Sequence, residues 1–366
     1  MKDEAIYRIS LTLIEGLGPV HIRNLIDRFG TASSVFNAPI HHLSSLEGIG
    51  SIKAESIKRF VGFSFAEDEL KFCDDNHIQI LFLTDPLYPR RLLNCYDAPT
   101  VLYYKGTADL NTSKVVTIIG TRSNTDYGKS VTEKIVQDLA AHGVLVVSGL
   151  AIGIDAIAHK AAISNGLPTV GILGHGLDMM YPPQNKSLSF EMLLNGGLLT
   201  EFRHGITPEA FNFPRRNRIA AGMSDCTLVI ESQLKGGSMI TAEMAYGYNR
   251  DLFAVPGRLN DHKSKGCLHL IQQNKAIIYT NAEDFIATMG WDVNPKKTAR
   301  RQRELFIELT PDEKIIMDIL NEKEETHIDE LHTRSGLNSS SIAASILNLE
   351  LQSVIICLPG KVYKVL

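Results

Sequence analysis

Short, wholly apolar runs rich in β-branched residues recur through the middle of the chain, separated by stretches of helical spacing. Val115-Val116-Thr117-Ile118-Ile119, Val144-Leu145-Val146-Val147, Thr169 to Leu173, Thr227 to Glu231, Leu252 to Val255 and Ala276 to Tyr279 read as buried strands. Leu198-Leu199-Thr200 reads as a shorter one. Asp126 to His142 and Ile154 to Asn165 read as helices between them. Strands apolar on both faces and alternating with helices predict an α/β fold, a Rossmann-like doubly wound parallel sheet. Such sheets bind ligands at the carboxyl ends of their strands. The polar clusters fall there: Gly120-Thr121-Arg122, Ser148-Gly149-Leu150-Ala151, Gly174-His175-Gly176 and Glu231-Ser232.

The flanks follow other patterns. Residues 1–70 are helical and broken by two related turns, Glu15-Gly16-Leu17-Gly18 and Glu47-Gly48-Ile49-Gly50. Paired turns of this kind suit a helix-hairpin-helix unit whose glycines let the backbone approach a phosphate. They suit equally a helical packing module that touches no nucleic acid. The nearby cations are Arg23, Arg28, Lys53, Lys58 and Arg59. Asp74 to Thr112, with Tyr88-Pro89 and Asp97-Ala98-Pro99, is expected to be an extended, ordered connection into a Rossmann-like domain spanning 71–292. Residues 293–303 form a linker with five cations and no acid, and 304–366 a third domain. In that domain Thr310-Pro311-Asp312-Glu313 caps a helix, two helices follow, and two strands flank Pro359-Gly360. Three helices and a terminal hairpin predict a winged helix. Its recognition helix, Ser339 to Leu351, has no Lys or Arg, and from Glu304 to Leu366 acids outnumber bases 11 to 5. Duplex binding needs phosphate neutralisation, so this domain suits protein contact better.

Composition narrows the setting. The chain has 366 residues, 44% hydrophobic and 21% charged, and a net charge of −4, so nucleic-acid binding must come from a local patch. Cysteines at 73, 95, 226, 267 and 357 show no metal-type spacing and fit reduced thiols in a cytoplasm. The charged start Met1-Lys2-Asp3-Glu4 lacks the apolar core of a signal peptide, and no apolar run reaches the ~18 residues of a membrane span.

Candidate chemistry centres on Phe213-Pro214-Arg215-Arg216-Asn217-Arg218, three arginines at a helix start. The helix dipole disfavours cations there unless an anion or an acidic partner joins them. Guanidinium forks, backbone N–H groups and the dipole together describe a phosphate site. Arg122, Lys186, Arg215, Arg216 and Arg218 are the candidate phosphate ligands, with Asn217, Gly149, Gly237 and Ser238 as loop donors. Asp155 and His159, four apart on a helix, either line the cleft or orient the loop before them. Gly128-Lys129-Ser130 lacks the earlier glycine of a P-loop, and the G-x-G-x-x-G fingerprint is missing. Neither H-E-x-x-H nor G-x-S-x-G occurs, so a non-catalytic protein without metal or cofactor is expected. Several anion-compatible loops at one sheet edge suit a row of phosphates, as on one strand of DNA.

The ordered set Tyr88-Pro89, Ile119-Gly120-Thr121-Arg122, Ser148-Gly149-Leu150-Ala151-Ile152-Gly153-Ile154-Asp155, Gly176-Leu177-Asp178, Tyr181-Pro182, Phe213-Pro214-Arg215-Arg216-Asn217-Arg218-Ile219, Gly237-Ser238 and Val255-Pro256-Gly257 resembles the DNA-processing protein A family, DprA or Smf. The resemblance covers essentially the whole chain. It implies single-stranded DNA binding without sequence preference, protection of incoming strands in natural transformation, and help in loading the RecA recombinase. It also implies an N-terminal helical domain of helix-hairpin-helix or sterile-alpha-motif type, a C-terminal winged helix, and a homodimer through the Rossmann-like domain. Leu268, Leu270 and Ile271 are candidate dimer residues. Asn274-Lys275-Ala276 stands where the family usually has Gly-Ala, and Thr200-Glu201 replaces its commoner Ser-Glu. Two alternatives are a phosphoribohydrolase-type nucleotide hydrolase and a duplex-DNA regulator acting through the winged helix. The hydrolase loop would be Gly236-Gly237-Ser238 to Glu243, which lacks a third glycine.

Overall fold

A computed structural model describes residues 2–291, 309–352 and 354–365; the basic linker at 293–303 lies outside the described residues. Packing divides the chain into one unit from Met1 to Ile278 and another from Tyr279 to Leu366. The helical N-terminal segment belongs to the same unit as the sheet.

That segment has six helices: α1 (Lys2–Leu13), α2 (Pro19–Phe29), α3 (Ala32–Asn37), α4 (Ile40–Ser44), α5 (Gly50–Lys58) and α6 (Phe63–Asp75). Both glycine turns form, with Gly16 and Gly48 at φ 81° and 79°, where an L side chain is disfavoured. The lysines near them bond within the segment. Lys53 Nζ lies 2.9 Å from His21 Nε2 and donates to Gly48 O at 2.6 Å, while Lys58 Nζ donates to Phe36 O and Ala38 O. Arg59 pairs with Glu55. With three of the five nearby cations engaged internally, the packing reading of these turns gains over the phosphate reading.

The expected connection instead contributes β1 (Gln79–Phe82), α7 (Arg90–Leu93) and β2 (Val101–Gly106). Its prolines fall between the strands, so they do not block the ladder. There follow β3 (Val115–Ile119), α8 (Asp126–Leu139), β4 (Leu145–Ser148), α9 (Ile154–Ser164), β5 (Thr169–Ile172), α10 (Lys186–Met192), β6 (Gly196–Thr200), α11 (Asn212–Gly222), β7 (Cys226–Val229), α12 (Gly237–Gly247), β8 (Asp251–Ala254), α13 (Lys265–Gln272) and β9 (Ile277–Ile278). The sheet order is β1-β2-β6-β5-β4-β3-β7-β8-β9. From β6 to β9 every pairing is parallel, whereas β1–β2 and β2–β6 are antiparallel. The fold is therefore Rossmann-like and mostly parallel, with an antiparallel edge that the apolar pattern did not reveal. Strand order reverses at β3, which has β4 on one side and β7 on the other. A crevice is expected outside the carboxyl ends there.

The second unit holds α14 (Ala282–Thr288), α15 (Pro311–Asn321), β10 (Thr326–His327), α16 (Ile328–Ser335), α17 (Ser339–Leu351), β11 (Ile355–Leu358) and β12 (Val362–Val365). Its sheet runs β10-β12-β11, giving the winged helix. Thr310 and Glu313 form the expected reciprocal cap of α15. Among the described residues no helix is long and apolar enough to cross a membrane.

His159 ties α9 to β5: it is fully buried, with Nδ1 2.6 Å from Thr169 Oγ1. Burial first, and then the charge on Arg216, push the imidazole down to about 3. In the unfolded chain it takes up a proton near pH 6.5. Between these values the unfolded state binds the extra proton, so stability falls as pH falls below about 6.5. Denaturant titrations across pH 4 to 7 should show that loss, and His159→Gln should remove part of the slope.

Candidate nucleic-acid interface

The crevice exists at the switch point, as a cleft of about 520 Å³. One wall is the turn after β3, Gly120 to Ser123. The second is the turn after β4, with Gly149 and Ala151. The third is the loop from Ser232 into α12, and Phe213, Arg216 and Asn217 of α11 close it.

Each wall is held by a buried carboxylate or amide. Asp155 at the start of α9 accepts from the N–H groups of Gly149 and Ala151, at 3.2 and 3.3 Å. Burial raises its pKa, opposed chiefly by the Arg216 guanidinium and by those N–H groups. Asp155 thus orients the loop, while His159 turns to Thr169 instead of pairing with it. Glu231, fully buried at the end of the β7 run, accepts from Thr125 N and from the Thr125 hydroxyl. The buried Asn185 donates to Leu150 O and Ala151 O. Leu150 itself is buried at φ 54°, a conformation unfavourable for its side chain and sustained by these ties.

The arginine cluster divides in two. Arg216 turns into the cleft beneath Gly149, where a Cβ would collide with its Nη1. It is 5% exposed and donates from Nη1 to Ile172 O at 2.6 Å, while its Nε has no partner among the described residues. Burial pushes its pKa down to about 10, against the pull of Asp155, so it remains a cation at neutral pH. Arg218 turns the other way and is buried, with Nη2 2.5 Å from Glu201 Oε2. Arg215, about half exposed, reaches the same oxygen at 3.4 Å and lies 4.9 Å over the Phe202 ring. Glu201 is the acidic partner that a cationic helix start requires. Arg218 is thus buried in an ion pair with that carboxylate and does not line the cleft.

Arg122 is exposed at the cleft mouth, 5.5 Å from the Phe213 ring, and Tyr181 stands 5.9 Å from Phe213. Asn217 donates to Gly237 O, and Ser238 Oγ is 2.8 Å from Ser232 Oγ. The amino end of α12 opens here with Gly237 and Ser238, which suits an anion. The cleft therefore unites Arg122, Arg216, Asn217, Gly149, Gly237 and Ser238. Lys186 is exposed at the start of α10 and does not line it; Lys235 does. The aromatic pair Phe213 and Tyr181 escaped the sequence reading, although both lie in motifs already singled out. A neighbouring hollow of about 650 Å³ is bordered by Tyr96, Leu234, Ile240 and Tyr248 and offers less anion chemistry.

The dimer candidates also divide. Leu270 is fully buried in the core formed with Val229, Leu252 and Ala254, so it is not available to a partner. Its position on the inward face of α13 is the reason. Leu268 and Ile271 are half-buried.

Comparison with known proteins is specific. The family profile for DNA recombination-mediator protein A matches residues 79–290, and the DprA winged helix domain profile matches 301–361. Protein Smf of Synechocystis sp. is 32% identical over 99% of both chains. DNA processing protein DprA of Streptococcus pneumoniae is 40% identical over 58% of this chain and 78% of its own. The crystal structure of the S. pneumoniae protein superposes with a TM-score of 0.66 at 32% identity, over 77% of this chain and 97% of that one. DNA processing protein A from Helicobacter pylori, described for its single-stranded DNA binding mode, gives 0.53 at 34% identity over 58% and 96%.

The two arginine classes should separate in stability. Arg218→Ala leaves the buried Glu201 with only the longer contact from Arg215 and should cost up to about 3–5 kcal/mol, read as a lower denaturation midpoint. Arg122→Ala removes an exposed side chain and should change stability by no more than about 0.5 kcal/mol.

Proposed function

Since this chain belongs to the DNA recombination-mediator protein A family, we propose that its switch-point cleft binds single-stranded DNA without sequence preference. The observation that carries this reading is the buried cation Arg216 lining the cleft, its Nε without a partner among the described residues, together with the exposed Arg122 and the amino end of α12. Arg122 and Arg216 hold phosphates, and Gly237 and Ser238 contribute N–H or hydroxyl donors. Phe213 and Tyr181 offer ring faces to bases, a contact that every base can make and that carries little sequence information. In this reading the protein protects incoming strands in natural transformation and helps load the RecA recombinase in the cytoplasm.

Binding without catalysis fits the carboxylates. Asp155 and Glu231 accept backbone N–H bonds and are not poised as a general base. The α17 helix presents Ala343, Ala344, Leu347 and Leu351 to solvent and carries no cation, which favours protein contact over duplex reading.

The homodimer belongs to the same proposal. Strand β9 is the sheet edge, and Ile277 and Ile278 are 45% and 47% exposed there. An apolar edge strand is a template for pairing. With the half-buried Leu268 and Ile271 it forms the face we assign to the second copy. Two clefts on one strand raise effective concentration and hence avidity.

Fluorescence anisotropy with labelled poly-dT and a duplex of equal length, over a salt series, tests the binding. Single strands should bind much more tightly, with a log–log salt slope of about −0.7 per neutralised phosphate, and Arg122→Ala should weaken them. Equal duplex affinity or a flat slope overturns the reading. Ile277→Lys with Ile278→Lys should give a monomer in sedimentation and lose the preference for long strands; an unchanged dimer overturns the assignment of this edge.

A further inference from the structure

Outside the cleft, a second row of arginines and aromatic rings runs towards the helical segment. Its links are contacts within the first unit. Gly174 packs on Phe213: a Cβ there would lie 3.2 Å from the ring. Gly176, in the same turn after β5, packs on Arg203 O and His204 Cα, at 2.6 and 2.9 Å from such a Cβ. The turn thus joins the cleft rim to the loop after β6. On that loop the Arg203 guanidinium stands 5.9 Å over the ring of Phe65, in the first turn of α6. Phe65 is 56% exposed, and Arg203 is half-buried. Among the described residues no carboxylate pairs with Arg203. Next to Arg203 in the chain, the buried Phe202 carries Arg215, whose side chain is about half exposed.

The loop carrying Arg203 is held firmly. Glu69 of α6, 1% exposed, accepts from His204 N and from the His204 ring, and Phe72 stacks on that ring at 4.6 Å. Asp178 accepts from Gly205 N. These contacts already fasten α6 to the sheet. A fastener has no need of a phenylalanine more than half in water, or of an arginine without a counter-charge.

We propose that Arg203 and Phe65 form a second station for the same DNA strand, Arg203 taking a phosphate and Phe65 a base face. The strand leaves the cleft past Phe213, crosses Arg215 and reaches this station. The proposal rests on single-strand binding by the cleft. Beyond Phe65, α6 exposes Glu67 and Asp68, which repel a further phosphate and set the end of the track.

The test uses the full chain and oligo-dT of roughly 5 and roughly 15 nucleotides, within the range of known single-strand sites. Arg203→Ala and Phe65→Ala should leave the short strand's affinity unchanged and weaken the long strand on the order of tenfold. Arg203→Ala should also flatten the long strand's salt slope by about 0.7, and Arg203→Lys should restore it. A Phe65→Trp variant gives an independent readout: its added fluorescence should be quenched by the long strand and not by the short one. Unchanged long-strand affinity with no quenching overturns the station, as does equal weakening at both lengths. If the short strand does not bind, or binds without dependence on Arg122, the cleft reading itself fails, which is a different result.

Discussion

A buried guanidinium needs a counter-charge, and the site is organised around that need. The α11 helix begins with arginines where its dipole already places positive charge. Glu201, at the end of β6, takes Arg218 and Arg215 on one side of the helix. Asp155, at the start of α9, faces Arg216 on the other. Removing water from such ions costs several kcal/mol each, so the carboxylates and the backbone acceptor at Ile172 fix where α11 can lie. The loops after β4 and β6 are positioned by the same charges, and those loops are the cleft wall and the carrier of Arg203. Gly149 completes the arrangement by leaving room for the guanidinium.

Much of this was legible in the chain, and what was not has a physical cause. Strands β3, β4 and β5 are buried along their whole length, so their apolar runs stood out. Strand β1 is four residues long and only partly buried, and it hid among prolines. The carboxyl-end turns were readable because their glycines and polar residues interrupt apolar runs. The division of the arginines was not. Arg216 and Arg218 are two positions apart and point to opposite sides of the helix, and the partner that decides their roles, Glu201, lies 17 residues before Arg218. Only packing brings that carboxylate near. Leu270 misled for the related reason that an apolar cluster in sequence does not reveal which side of a helix faces the sheet. The family resemblance supplied the single-strand chemistry, but not which residues of the cluster carry it.

The helical segment gains a clearer role from its own hydrogen bonds. His21 accepts from Gly18 N, Lys53 bridges His21 and Gly48, and Lys58 caps the carbonyls at the end of α3. Lys53 thereby holds the two turns against each other, and Lys58 holds α5 to the end of α3. The segment meets the sheet through α1, where Ile9 joins the core of Val101 and Tyr103 and Arg8 lies over Phe82, and through Glu69 and Phe72 of α6, not through its glycine turns.

The loops around the cleft have little freedom left to lose. Asp155, Glu231, Asn185 and Thr200 each bond the backbone of a loop that lines or supports it. A receptor fixed in advance leaves the ordering cost of association on its ligand. For a flexible polymer that cost depends on how strongly its own bases stack before binding. A strand of thymidines, with weak self-stacking, surrenders mainly backbone freedom, whereas a strand of adenosines must first break its internal stacks. A surface that reads no base edges can therefore still rank sequences, through the stiffness of the free strand.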